Sequence, residues 1–296
     1  MSFNIEIPAK CILAGEHSIL ERGFALVVPF NKFKLSLNYY PDEMKTMHTI
    51  SAEGNNSLGI ILWPVLSKAC QLLNKDPHKL TGFFQMESTI PPCSGLGFSA
   101  ALCVAVAEWV IQQGYLTRAN LFDFAIELEN MFHKKSSGVD IAGVTSNHII
   151  QYSFNKEVAK ISPCWEPELY ISGSEEKSIT RLCVEKVREL KKSDPKKAKE
   201  IYEKMALAVE LIKFSLESDD KETQLSYITQ GLTLGNQCFY DWGLTSQALT
   251  QHIKQLETYN TLACKVIGAG VGGYVLSLWK ETPPQNLPFK LHRLNL

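Results

Sequence analysis

The chain has 296 residues, of which 45% are hydrophobic and 21% charged, and its formal net charge is −1. That length allows one large domain or two moderate ones, each able to bury a core. The balanced charge gives no electrostatic case for nucleic acid or a membrane surface as partner, so any affinity for phosphate has to be built locally.

The first eight residues alternate polar and apolar side chains, without the charged-then-apolar shape of a signal peptide. No apolar run approaches the length of a membrane span, and a cytoplasmic protein is expected. Residues 4–13 read as a strand and 24–29 as a short apolar run. Residues 32–40 read as a half-buried strand, because Phe33, Leu35, Leu37 and Tyr39 alternate with polar neighbours. Residues 57–73 carry apolar side chains at helical spacing despite Pro64. A strand over 82–88 feeds a glycine-rich turn. An apolar helix over 100–113, a helix over 121–132 and a strand over 144–152 follow.

A polar stretch at 155–168, containing Pro163 and Pro167, leads to a short strand at 169–172. The region 178–216 is helical with a break near Ser193-Asp194-Pro195. Its lysines Lys191, Lys192, Lys196, Lys197 and Lys199 are interleaved with acids and read as a solvated face. Helices over 221–242 and 246–259 precede a strand, glycine turn and strand over 261–280. Strands and helices mixed in both halves, without regular alternation, indicate an α+β chain of two lobes, 1–160 and 161–296. The eight cysteines are scattered, with no Cys-x-x-Cys pair. Free and mostly buried thiols are expected, not a disulfide framework.

Three segments carry candidate chemistry. In Pro8-Ala9-Lys10-Cys11-Ile12-Leu13-Ala14-Gly15-Glu16-His17 a lysine stands inside an apolar strand. Such a lysine is either at a sheet edge or serves a site that handles negative charge, with Glu16 and His17 lining the same cleft. Pro91-Pro92-Cys93-Ser94-Gly95-Leu96-Gly97-Phe98-Ser99-Ala100-Ala101 runs from a glycine turn straight into an apolar helix. Backbone N–H groups and the helix dipole converge on an anion at such a junction. The spacing is neither the Walker nor the dinucleotide pattern, and the turn alone also fits a plain entry into a buried helix. Lys265-Val266-Ile267-Gly268-Ala269-Gly270-Val271-Gly272-Gly273 is either a tight β-turn or a backbone that approaches a ligand closely. Between the second and third segments, Glu129 and His133 are spaced for one helix face, and no second histidine completes a zinc site. Asp140 enters an apolar stretch, where a carboxylate needs a partner such as Lys10.

Taken together, the three ordered segments resemble the motifs of the GHMP kinases, the superfamily of galactokinase, homoserine kinase, mevalonate kinase and phosphomevalonate kinase. Within it, Gly15-Glu16-His17, Ser137-Gly138-Val139-Asp140 and Trp242-Gly243-Leu244-Thr245-Ser246 are most similar to the mevalonate kinase branch. The resemblance implies a ribosomal-S5-like N-terminal domain followed by a ferredoxin-like C-terminal domain. It implies transfer of the ATP γ-phosphoryl group to the 5-hydroxyl of mevalonate, with Mg²⁺ as cofactor. The backbone of Ser94, Gly95, Leu96, Gly97, Phe98, Ser99 and Ala100 would hold the ATP phosphates. Ser99 and Glu129 would bind Mg²⁺, Asp140 and Lys10 would be catalytic, and Glu16, His17 and Gly270 would lie near the substrate.

Small molecules are the expected partners. A homodimer is compatible with the resemblance, although no apolar stripe marks an interface. A phosphomevalonate or sugar kinase, or a binding protein of the same fold without catalysis, are the alternatives. The chain departs from the superfamily pattern at four places. Phe98 stands where a serine is usual, and Lys134-Lys135-Ser136 replace a Gly-Asn-Pro-like turn. Val271 interrupts the glycines, and Tyr274 replaces a smaller residue.

Overall fold

The computed structural model describes residues 2–21, 23–42, 48–51, 57–133 and 135–296. Its contacts group the chain into two compact units, and neither is contiguous in sequence. The first comprises Met1–Ala9, Asn31–Pro91 and Gly97–Thr145, the second Lys10–Phe30, Pro92–Leu96 and Ser146–Leu296. Strands β1 (Phe3–Ala14) and β2 (Phe24–Tyr40) each contribute to both units. The two apolar runs expected at 24–29 and 32–40 are thus one strand. The exposed Asn31 and Lys32 between them do not interrupt the backbone ladder, because a solvent-facing polar side chain leaves N–H and C=O free to pair.

In the first unit, β2 pairs antiparallel with β4 (Phe83–Ser88), and β3 (His48–Ser51) runs parallel to β4. Leu35, Leu37 and Tyr39 are buried while the residues between them are not, which is the period-2 pattern of a one-faced sheet. Helix α1 (Ser57–Leu72) tolerates Pro64 and packs on β3 and β4. Helix α2 (Phe98–Gln112) is buried at nearly every position from Phe98 to Val110. It packs against α1, α3 (Leu121–Glu129) and α4 (Val139–Thr145), a burial on several sides that explains its largely apolar sequence. Tyr39, Phe84 and Trp109 join sheet and helix, with Phe84 4.7 Å from Tyr39 and 5.0 Å from Trp109 between ring centres.

Two segments fold differently from what their sequence predicts. The strand expected over 144–152 is split. Val144 ends the buried face of α4, and the strand β5 begins only at Ile150 (Ile150–Ser153). A short apolar run does not distinguish helix from strand, and the left-handed Gly138 starts a helix at this one. The helix expected over 121–132 ends at Glu129, so His133 lies beyond it in a turn.

In the second unit, β5 pairs antiparallel with the start of β2 and with β6 (Val158–Lys160). A separate antiparallel sheet has the order β10-β7-β9-β8, where β7 is Glu168–Gly173, β8 Ala263–Val266, β9 Tyr274–Trp279 and β10 His292–Arg293. Four helices accompany it: α5 (Thr180–Ser193), α6 (Pro195–Glu217), α7 (Lys221–Asp241) and α8 (Gln247–Glu257). Asp194, Asp220 and Ser246 cap the last three through their side chains. Helices α6 and α7 pack along each other, and α7 and α8 cover β8. All eight cysteines are free, six of them buried and Cys93 and Cys164 exposed. Among the described residues no helix is long and apolar enough to cross a membrane.

Candidate active site

The second unit brings together Lys10, Glu16, His17, the first half of the glycine loop and Gly270. Lys10 follows Ala9 in the stretch of β1 that is buried without a break, and is itself 1% exposed. Its Nζ donates to the Gly95 carbonyl at 2.9 Å, and its backbone N–H donates to the Leu96 carbonyl at 3.0 Å. The loop is therefore tied to β1 at two consecutive residues. Ser94 is buried, and its hydroxyl accepts from the Leu96 N–H at 3.3 Å.

The loop lies against the third glycine segment with no room for side chains. Gly268 has φ +79°, and a Cβ there would stand 2.6 Å from the Gly95 Cα. A Cβ on Gly273 would stand 2.8 Å from the Ser94 carbonyl oxygen. The glycines of both segments are thus required by close backbone approach. Gly270 is buried, and its carbonyl accepts the Ser178 hydroxyl proton at 2.6 Å. His17, Cys93 and Val271 hold positive φ in the three loops. For β-branched Val271 that is backbone strain, of the kind that functional loops retain.

Glu16 and His17 anchor the first segment to the third. Glu16 Oε1 accepts from Lys265 Nζ, and both side chains are buried. Lys265 Nζ also donates to the Val266 carbonyl at 2.9 Å and lies 5.2 Å above the Phe239 ring. Burial pushes the Glu16 carboxyl above its ordinary range, and the Lys265 charge opposes that shift. His17 Nε2 contacts the Ala269 carbonyl at 3.0 Å, and its ring meets Trp242 edge-on at 5.2 Å. Burial lowers the imidazole pKa to about 4, so His17 is neutral at physiological pH.

Lys265 is absent from the expected set of site residues. The signal that singled out Lys10 applies to it equally, for Ala263-Cys264-Lys265-Val266 is also an apolar strand that contains one lysine.

The first unit contains Gly97, Phe98, Ser99, Ala100, Glu129 and Asp140. Helix α2 opens on Gly97 at φ +86°, an N-cap with no side-chain hydrogen bond. The N–H groups of its first turn therefore carry no side-chain cap. Phe98 and Ala100 are buried, and Ser99 is half-buried in that first turn. Phe98 is thus a core residue at the helix start and offers no hydroxyl there. Glu129, the last residue of α3, is 1% exposed, and its Oε2 accepts from the Ser136 hydroxyl at 2.5 Å. Its charge helps burial raise the Cys103 thiol pKa. Cys103 lies one turn beyond Ser99 on α2. Asp140 is half-buried in the first turn of α4. Lys135 is exposed, and Lys134 lies outside the described residues.

Among the described residues no three His, Cys, Asp or Glu side chains cluster as a protein-only metal cage. The donor set still fits Mg²⁺, a hard cation that takes one or two protein oxygens and completes its shell with phosphate and water. Ser99 and Glu129 offer a hydroxyl and a carboxylate of that kind.

Residues 64–147 match the family model of the GHMP kinases N terminal domain. The mevalonate kinase of Aeropyrum pernix is 25% identical over 290 residues, spanning 93% of this chain and 87% of that protein. The crystal structure of L. major mevalonate kinase in complex with R-mevalonate superposes with a TM-score of 0.74 at 20% identity, covering 94% of this chain and 87% of that one. The Streptococcus pneumoniae phosphomevalonate kinase structure gives a TM-score of 0.72 at 14% identity over 100% of both chains. Fold alone therefore does not select the acceptor.

Proposed function

We propose that this chain, which has the GHMP kinase fold and that superfamily's N-terminal domain at residues 64–147, is an ATP-dependent kinase acting on the 5-hydroxyl of mevalonate. The observation that carries the kinase reading is the opening of α2. An αL glycine without a side-chain cap leads into a turn that bears Ser99, and uncapped N–H groups at a helix start are a phosphate site. The choice of mevalonate rests on the Gly15-Glu16-His17 segment and on full-length relatives that bear that name.

In this reading the backbone from Ser94 to Ala100 holds the ATP phosphates. Ser99 and Glu129 hold Mg²⁺, which neutralises phosphate charge when bound. Asp140 orients the 5-hydroxyl and takes its proton as the oxygen forms its bond to the γ-phosphorus. The bond from that phosphorus to the β,γ-bridging oxygen breaks, and ADP leaves. Lys10, fixed by the Gly95 carbonyl, supplies positive charge to the transferring group. Glu16, His17 and Gly270 act on the substrate side by shaping the loops around it. Phosphoryl transfer depends chiefly on positioning and electrostatics, so this small set suffices.

A coupled ADP-release assay with ATP·Mg²⁺ and mevalonate, phosphomevalonate, galactose or homoserine tests the reading. Turnover with mevalonate alone is expected. Turnover with phosphomevalonate alone would move the acceptor to the second kinase whose fold this chain shares. ATP binding with no turnover on any acceptor would refute the kinase assignment for this panel.

A further inference from the structure

The turn between α3 and α4 carries Ser136, next to the half-buried Ser137 and the left-handed Gly138. Three hydrogen bonds converge on Ser136. Its N–H donates to Asn130 Oδ1 at 2.8 Å, and its hydroxyl accepts from the Gly138 N–H at 3.0 Å. The same hydroxyl donates to Glu129 Oε2 at 2.5 Å. An alanine at this position could keep only the first of these bonds.

The direction of the hydroxyl proton follows from the bookkeeping of donors. A serine hydroxyl has one proton, and its oxygen here already accepts from Gly138, so the proton is aimed at the carboxylate. A donor that is itself accepting is polarised toward a stronger bond. Fixing one carboxylate oxygen fixes the plane of the group, and with it the direction of the other oxygen. Glu129 is 1% exposed, so bulk water does not compete for that bond. The Gly138 amide precedes α4 by one residue and Asp140 by two.

We propose that Ser136 is a positioning residue, which holds the Glu129 carboxylate in its metal-binding orientation and ties it to the start of the helix bearing Asp140. The proposal rests on the reading of Glu129 as a Mg²⁺ ligand. Partners of this outer kind change metal affinity by roughly 10–100-fold when removed.

The test measures the Mg²⁺ concentration that gives half-maximal thermal stabilisation by a non-hydrolysable ATP analogue, which requires no turnover. In Ser136→Ala that concentration is expected to rise about tenfold, with kcat lowered and the KM for mevalonate little changed. Ser136→Thr keeps the hydroxyl and is expected to restore the wild-type value. Melting without nucleotide separates a loss of fold, which would lower Tm without moving the Mg²⁺ midpoint. An unmoved midpoint in Ser136→Ala, whatever its Tm, overturns the proposal. Glu129→Gln run in parallel distinguishes the two ways of failing. If it shifts the midpoint and Ser136→Ala does not, only the role of Ser136 is wrong. If Glu129→Gln leaves the midpoint unmoved, the metal-ligand reading falls and the proposal with it.

Discussion

Replacing Lys265 by methionine removes one half of an ion pair whose side chains are 0% and 3% exposed. Glu16 is then left buried without its counter-charge. Breaking a buried pair from one side costs about 3–5 kcal/mol, because the remaining charge has lost its water without compensation. At roughly 2–4 °C per kcal/mol for a unit of this size, Lys265→Met is expected to lower the melting of the second unit by about 6–20 °C. The double variant Glu16→Met/Lys265→Met leaves no charge behind and is expected to recover most of that loss.

The pH dependence has a definite sign. Burial raises the Glu16 pKa in the fold, against the pull of Lys265. The stability linked to this group is therefore full below the ordinary carboxylate range and is lost as pH rises through the raised value. Without Lys265 the upward shift grows, so Lys265→Met is expected to regain stability between pH 7 and pH 5 while the double variant does not. Calorimetric melts of wild type, both single variants and the double variant at the two pH values provide the cycle. A Lys265→Met loss below about 1 kcal/mol, or a double variant as unstable as the sum of the singles, would show that an unpaired buried charge does not set the cost.

Asp140→Asn is expected to cut turnover by at least about 100-fold, the usual worth of a positioned acid–base group, while ATP-analogue affinity measured by calorimetric titration stays within a few-fold. His17 is held neutral in the fold, with a pKa of about 4. Its contribution to stability is thus present above pH 6.5 and is lost as pH falls toward 4. Melts across that window are expected to slope downward in wild type and less steeply in His17→Gln, and equal slopes would contradict the assignment. Gly268→Ala adds a Cβ 2.6 Å from the Gly95 Cα at positive φ, whereas Gly114 has positive φ with open space around it. Gly268→Ala should therefore destabilise by more than the roughly 1–2 kcal/mol of left-handed strain alone, and by more than Gly114→Ala in the same denaturation assay.

Local chemistry was enough to identify most elements and the tight glycine turns. The alternation in β2, the apolar run of α2 and the glycines at 95, 97, 268, 270, 272 and 273 each state a local requirement. That requirement can be read without knowing the neighbours, because side-chain period and positive φ are properties of the chain itself. Lys10 belongs to the same class, since an amine inside an apolar strand has to be satisfied somewhere. Short segments were less legible. Residues 141–144 suit a strand as well as a helix, and only their packing beneath α2 and the start at Gly138 select the helix.

Partners distant in sequence were beyond local reading. Nothing near Glu16 announces that its carboxylate meets Lys265, 249 residues later, nor that Gly95 and Gly268 would touch through their backbones. The division into two interleaved units, with β1 and β2 shared between them, likewise depends on which strands pair. Those contacts are set by burial and shape summed over the whole chain. Sequence therefore named the residues that carry charge or tight backbone turns, and tertiary packing chose which of them face each other.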